Sequence, residues 1–457
     1  MQPIELKIAY IGGGSRGWAR KLTMDLALAP ELAGVVALYD IDLASARLNE
    51  QLGNWLQSQP GVVSRWRYET VPTLTDALRG ADFVVISIQP GTLQVMADEI
   101  AIAEKYGLFF PVGDTTGAAG LVRGLRSAII YAEFAHAIVE TCPKAWIFNY
   151  TNPMAICTRT LTRVEPRLKV FGCCHEVFAT QKMLASLVTK YLGDSPTRDE
   201  IHVNVIGINH FTMIDRAQYR DVDLLALVRR HIAEPGVLRE FERNEVEGWK
   251  DWFKSADQIK FAILQRFGVL GAAGDRHLVE FMPGFTRSPE ELFRWGVIRT
   301  PVVEYRMERW NKAPKETRDL IAGRTPLVLG ASGEPGVAQM KALLGLGDLV
   351  TNVNVENQGQ IPGLPSRAVV ETNARFSLNA VTPLVAGDLP PGLQSLTAQH
   401  IANQEMIVQA ALACDPDLAF QAVFNDPTNR LSLDETFKMF NEMLCASREF
   451  LPGWRVD

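Results

Sequence analysis

The stretch IAYIGGGSRG at residues 8–17 limits the possible folds more than any other part of the chain. An apolar run that reads as a strand meets G-x-G-x-x-G at Gly12, Gly14 and Gly17, and SRGWARKLTMDLAL then continues as a helix. Glycines there let the backbone turn tightly and approach a pyrophosphate, which sits against the helix N-terminus. Asp40 closes the next strand-like run, VVALYD, where a carboxylate accepts hydrogen bonds from an adenosine ribose and repels a 2′-phosphate. NAD is therefore favoured over NADP, with Arg16 and Arg47 softening the preference. Tight strand–helix packing without a ligand is the competing use of the same glycines. The register of strand, glycines, helix and acid favours a dinucleotide.

The alternation continues through LASARLNEQLGNWL, ADFVVISI, AWIFNY and LKVFGC. Strands separated by helices imply a parallel, doubly wound sheet whose ligands sit at the strands' carboxyl ends. After about residue 200 the pattern changes. HVNVIGINHFTMI reads as a strand ending in polar groups, and the segment to about Lys260 reads as helical and charged. Beyond the Pro/Gly break in GDLPPGLQSLTAQH, residues 398–450 read as helices. The expected fold is α/β: a Rossmann-like NAD-binding domain over residues 1–200, then an α+β domain over 201–457 for substrate and oligomerisation, in a lactate/malate dehydrogenase-like architecture.

A net charge of −6 counts against nucleic acid as the main partner. No apolar stretch reaches bilayer length, and MQPIELKIAYIGGG lacks the features of a signal peptide, so no membrane partner is expected. Six cysteines in 457 residues do not suggest a disulfide framework, and a reducing cytoplasm is the expected location.

Polar groups mark the later strand ends. IFNYTNP carries Asn149 and Asn152, FGCCHE carries Cys174, His175 and Glu176, and IGINH carries Asn209 and His210. If these ends share a side with the glycine turn, they converge beside the nicotinamide. A thiolate with an imidazole suits a transition metal and leaves positions open for substrate oxygens. The same residue types also serve as core cysteine and helix cap, and the spacing matches no closed zinc motif. Cys173 reads as core. In GAAGDRHLVEFMPGF, Asp275 fits a general base and a helix cap equally, while Arg276, beside His277 and Glu280, fits a carboxylate partner. VGDTTGAAGLVRGLR, with Arg123 and Arg126, fits a mobile surface loop or a substrate-closing one.

Taken in order, IAYIGGGS, LYDID, VGDTTGAAG, NYTNPM, GCCHEVF, GINH, GDRHLVEF and NVNVENQGQIPGLP resemble family 4 of the glycoside hydrolases, the NAD- and metal-dependent group, over nearly the whole length. Cys174-His175-Glu176-Val177 resembles the α-galacturonidase branch. Phospho-glucosidase members carry Asp or Asn after that cysteine, and the α-glucosidase and α-galactosidase branches differ where Glu176 stands. The resemblance implies that NAD⁺ takes a hydride from C3 and that a divalent metal, usually Mn²⁺, stabilises the enolate left by C2 deprotonation. The glycosidic oxygen then leaves, water adds at C1, and the hydride returns. Net hydrolysis by this route stands apart from the two-carboxylate scheme.

Carried onto this chain, the resemblance makes Cys174 and His210 the metal ligands. It assigns the cofactor to Gly12, Gly14, Ser15, Gly17, Asp40 and Asn149, and places Asn152 on substrate hydroxyls. His175 or Glu176 lies nearest the leaving oxygen. Several branches use a tyrosine as the C2 base; none stands in GAAGDRHLVEF, so Asp275 is the candidate. Arg123, Arg126, Arg276 and His277 are the expected contacts of a sugar-acid glycoside, and a homodimer or homotetramer is the expected assembly. The competing enzymes are an α-glucosidase, α-galactosidase or 6-phospho-glycosidase of the same family and an NAD-dependent 2-hydroxy acid dehydrogenase. A non-catalytic NAD sensor and a redox sensor on Cys173–Cys174 are the other readings weighed; neighbouring cysteines close a disulfide only with distortion.

Overall fold

A computed structural model describes residues 2–454. Strands β1 (Ile4–Ile11), β2 (Leu32–Tyr39), β3 (Arg65–Thr70), β4 (Phe83–Ile86), β5 (Trp146–Asn149) and β6 (Lys169–Gly172) are parallel, in the order β3-β2-β1-β4-β5-β6. Ile8, Ala9, Tyr10 and Ile11 are all buried, because helices cover both faces, as an all-parallel arrangement requires. The chain leaves β1 toward β2 and comes back on the other side at β4. The carboxyl ends of these two strands therefore flank a crevice at the topological switch point.

The α/β class and the doubly wound order match the expectation from sequence. The second half contributes more strands than its sequence pattern indicates. Strands β7 (His202–Ile208), β8 (Phe211–Tyr219), β9 (Val222–Asp223) and β10 (Leu270–Gly271) make a small antiparallel sheet. Helix is thus the wrong assignment for residues 215–219, which continue the strand β8 and pair with β7 and β9. Strands β11 (Leu349–Glu356), β12 (Val369–Ser377) and β13 (Ala380–Pro383) join the first sheet beside β6 in antiparallel sense, giving nine strands. Phe83, Phe148, Phe171 and Phe376 stack edge to face across this sheet, with centroid separations of 5.7, 4.5 and 5.1 Å. The core of the parallel sheet therefore runs without a break into strands from the last third of the chain.

Behind the crevice runs the helix Gly117–Thr141, whose first turns are buried all round. At Gly124 a Cβ would lie 2.6 Å from Ile156 and 3.0 Å from Ile407, so glycine permits close approach of the helices Met154–Val164 and Pro391–Ala413. The last of these begins earlier than residue 398, with proline in its first turn. No helix among the described residues is long and apolar enough to cross a membrane.

Arg126, on that buried helix, is fully enclosed. Its guanidinium pairs with both oxygens of the buried Glu99 and donates to the Pro90 carbonyl at 3.0 Å. Ser447 donates to the same Glu99 at 2.6 Å. Arg126 is thus a structural cation and has no group free for substrate, contrary to the expectation from its motif. Glu99→Ala strands this guanidinium and is expected to lower the unfolding free energy by about 3–5 kcal/mol. The double change Glu99→Leu with Arg126→Met should lose far less, and chemical denaturation of the two variants reads the difference.

Candidate active site

The glycine turn is built by contact. Gly12 has φ +89°, and a Cβ there would fall 2.1 Å from the Ser87 carbonyl oxygen at the end of β4. Asp40 braces the turn from behind: Gly14 N–H donates to Oδ2 and Asp42 N–H to Oδ1, both at 2.8 Å. Burial pushes the Asp40 pKa up, against those two bonds. Ser15 Oγ accepts the Trp18 N–H at 3.2 Å and so closes the first turn of the helix Trp18–Ala27. At Gly17 a Cβ would meet nothing within 4 Å, so open space lies at the positive end of that helix. This arrangement fits a pyrophosphate. Asn149 does not join it. Its Oδ1 accepts from the Tyr131 hydroxyl at 2.6 Å and from Thr151 N–H at 2.9 Å, and its Nδ2 reaches Thr158 Oγ1 at 3.2 Å, so its side chain is committed to the core.

His210 arrives by a route that the strand-end reading missed. Asn209 and His210 form the two-residue tip of the β7–β8 hairpin, where Ile208 pairs with Phe211. His210 takes φ +65°, a conformation uncommon for a residue with a Cβ and one that often marks function. Its Nδ1 lies 2.9 Å from Thr115 Oγ1, and that hydroxyl donates to Asp114 Oδ1 at 2.7 Å. The hydroxyl has one proton, given to Asp114, so its oxygen must accept an Nδ1–H. That tautomer leaves the Nε2 lone pair available to a metal.

Potential ligand atoms of Asp114, His210 and His277 lie within 4.8 Å of one another, and the two imidazole rings are 3.9 Å apart. Burial, with His277 close by, lowers the His210 pKa to about 3, so the ring is neutral. Burial works to protonate Asp114, but Arg306, His277, His210 and Arg123 outweigh it and hold the carboxyl well below its usual range. Cys174 is buried against Asn209, the residue before His210. Burial, then Glu371 and Glu176, push its thiol pKa well up, while the Asn209 side chain and the Glu176 N–H lie against the sulfur. A buried thiol beside two acids and a neutral imidazole with a bare nitrogen are donor types suited to a divalent cation. His277 Nδ1 and Asn152 Oδ1 are also buried without partners. The chemistry of these residues fits a divalent transition metal.

Glu176 opens the helix Glu176–Leu192 and binds Gly274 N–H at 2.9 Å, Arg276 at 3.4 Å and His277 Nε2 at 3.5 Å. Despite burial, His277, Arg276 and His210 hold its pKa well below normal. An ionised, locked carboxylate carries no proton to give, which counts against Glu176 as acid catalyst. His175 faces elsewhere: its ring lies 5.5 Å from Trp18, and its Nδ1 is 3.7 Å from Glu334. Asp275 lies against the first turn of the helix Gln258–Phe267. Its Oδ1 accepts Lys260 N–H at 3.2 Å, its Oδ2 is buried without a partner, and burial with Asp257 nearby raises its pKa to about 7. Arg123 donates to the Asn152 carbonyl at 3.1 Å and to Gln89 at 3.2 Å.

Asp114, Arg306, Glu280 and Glu371 are site residues that received no role from sequence. Glu280 Oε1 accepts Val112 N–H at 2.6 Å and Gly113 N–H at 2.9 Å, fixing the loop that presents Asp114. Glu371 receives Asn352 Nδ2 at 2.7 Å and Asn209 Nδ2 at 3.3 Å, and Asn352 also reaches the Cys174 carbonyl at 3.1 Å.

A doubly wound nucleotide fold with a buried imidazole–carboxylate cluster is the architecture of an enzyme that combines a dinucleotide with a metal. Residues 7–190 match the model of the family 4 glycosyl hydrolases and residues 205–429 that family's C-terminal domain. The chain belongs to this family. It is 45% identical to an alpha-galacturonidase of Thermoanaerobacter italicus, with 98% of each chain covered, and 48% identical to an alpha-galacturonidase of Bacillus subtilis, with 96% of this chain and 97% of that one covered. The crystal structure of the Bacillus subtilis protein lplD superposes with a TM-score of 0.90 at 46% identity, covering 96% of this chain and all of that one.

Glu280 yields a prediction about pH. Burial raises its pKa to about 8, against the pull of the two N–H donors. In an unfolded chain glutamate titrates at ~4.3, so between these values the native state binds the extra proton and stability falls as pH rises. Glu280→Gln mimics the protonated acid. It should gain on the wild type by about 1.4 kcal/mol per pH unit up to about pH 8, read by denaturation at several pH values.

Proposed function

We propose that this protein hydrolyses α-galacturonides, using NAD and a divalent metal such as Mn²⁺. The observation that carries the reading is the Asp114–Thr115–His210 chain, which leaves a metal-ready nitrogen in a fold that also carries a glycine turn shaped for a dinucleotide. The substrate class draws its support from the alpha-galacturonidases that match nearly the full chain and from the arginines gathered at Asp114.

When bound, NAD supplies a reversible hydride acceptor and the metal a Lewis acid for sugar oxygens. Gly12, Gly14, Ser15 and Gly17 hold the pyrophosphate and Asp40 the ribose. Cys174 and His210 hold the metal, with Thr115 and Asp114 fixing the imidazole. Asp275 Oδ2 takes the C2 proton; its pKa of about 7 suits a base that works near neutrality. Asn152 Oδ1 accepts from a sugar hydroxyl, and Arg276 and His277, held by Glu176, line the sugar. His175 is assigned no proton transfer, since its ring is placed by Trp18 and Glu334. In this reading residues 1–200 carry the cofactor, while 201–457 deliver His210 and Asp275. The enzyme works in the cytoplasm as a homodimer or homotetramer, and exposed Leu412, Phe424, Leu433 and Phe437 offer apolar surface for that contact.

The test is release of galacturonic acid from α-linked digalacturonate with Mn²⁺, NAD⁺ and a thiol reductant, each omitted in turn. Release that needs both cofactors without accumulation of NADH is the expected result. Accumulating NADH would restore the dehydrogenase reading, and cleavage of only neutral or phosphorylated glycosides would overturn the substrate. Gly17→Val tests the cofactor face separately. With nothing within 4 Å of its Cβ, the variant should fold as the wild type does. It should bind NAD⁺ about tenfold or more weakly in a fluorescence titration.

A further inference from the structure

We propose that Arg306 and Arg123 together form the clamp for the substrate's carboxylate and so make the site selective for a uronate over the corresponding neutral sugar. The proposal rests on the reading above that the substrate is a uronide, and it adds a residue that no motif singled out.

The guanidinium groups near the site differ in what they already bind. Arg126 is closed off by Glu99, Pro90 and Ser447. Arg276 is neutralised by Glu176 at 3.4 Å, donates to Thr300 Oγ1 at 3.4 Å, and lies 4.3 Å over the ring of Phe253. Arg123 and Arg306 are different. Arg123 is buried, with only 4% of its surface exposed, and its second terminal nitrogen, NH1, has no acceptor. Arg306, on the helical segment Val302–Met307, stands 3.6 Å from Asp114 Oδ2 and has a buried Nε without an acceptor. Both cations act on Asp114, and Arg306 is among the charges that, after burial and Arg126, lower the Arg123 pKa to about 10.

Two guanidinium groups therefore share one carboxylate, whose other oxygen already receives the Thr115 hydroxyl. Two buried guanidinium nitrogens, Arg123 NH1 and Arg306 Nε, lack acceptors. A carboxylate supplies both the charge and the two acceptor oxygens, and guanidinium binds it in a directed, charge-assisted way. A hydroxymethyl group at the same carbon supplies no charge and leaves the cations uncompensated. The 3.6 Å separation of Arg306 from Asp114 is too long for a hydrogen bond, so Arg306 can turn to a ligand without first breaking one.

The experiment is calorimetric titration of D-galacturonate and of D-galactose into wild type, Arg306→Gln and Arg306→Lys, each with Mn²⁺ and NAD⁺ present, alongside melting temperatures. The expected result is that the wild type prefers galacturonate. Arg306→Gln should weaken galacturonate about 10- to 100-fold and change galactose by less than about threefold, with Arg306→Lys intermediate. Arg306→Lys keeps the charge and carries the test if the glutamine variant melts early. Equal weakening of both sugars, or a preference retained in Arg306→Gln, would overturn the role of Arg306 and leave the uronide reading standing. A wild type without preference would overturn the uronide reading itself.

Discussion

One buried carboxylate that stays ionised underlies the arrangement of the site. Asp114 is buried, which works to protonate it, and neighbouring basic side chains, Arg306 first among them, reverse that tendency. Because it is an anion, it draws the Thr115 proton, and Thr115 in turn fixes the imidazole of His210 with its other nitrogen bare. Glu280 holds the loop from beneath through the Val112 and Gly113 N–H groups, so Asp114 is set by the helix Asp275–Phe281 as much as by its own segment. The left-handed backbone of His210 persists because packing on both sides of the hairpin tip fixes it.

That chain of contacts spans segments far apart in sequence, and the sheet explains how they meet. The carboxyl ends of β1 and β4 supply the crevice, and β6 leads straight into Cys174 and Glu176. The aromatic row from Phe83 to Phe376 carries the same core into β12, and β12 brings Glu371 beneath Cys174 and Asn209. The β7–β8 hairpin then lays its tip over the cluster. A rigid parallel sheet thus fixes one wall of the site, and an antiparallel layer from the second half fixes the other.

Much of this was legible in the chain, for reasons that can be named. The glycine turn is a local feature: strand, turn and helix are contiguous, so Gly12, Gly17 and Asp40 stand where spacing puts them. Cys174 and His210 were found through motifs, and both are buried around the Glu176 carboxylate. What failed was burial of charge. Arg126 and Arg123 are three residues apart on one helix and look alike in sequence, yet one faces Glu99 and the other faces the site. Asn149 ends a strand as a ligand-binding asparagine would, but its partners Tyr131 and Thr158 come from two helices that spacing cannot place. Arg306 lies nearly two hundred residues from the carboxylate that it attends, with no local pattern to mark it.

The acids of the site fall into two groups, and the division follows from what lies beside each. Asp114 and Glu176 each face cations, and both are held as anions although they are buried. Asp275, Glu280 and Glu371 face chiefly amides, other acids or, for Asp275, a lysine already bound to Asp257; burial then dominates and raises each to about 7 or 8. The first group can orient cations but has no proton to trade, while the second can exchange protons near neutrality. Glu280 is tied to two backbone N–H groups and Glu371 to two asparagines, which leaves Asp275 as the member of the second group with one oxygen unbonded. The same division explains why Glu176, although it follows the motif cysteine so closely, serves by holding Arg276 and His277 in place.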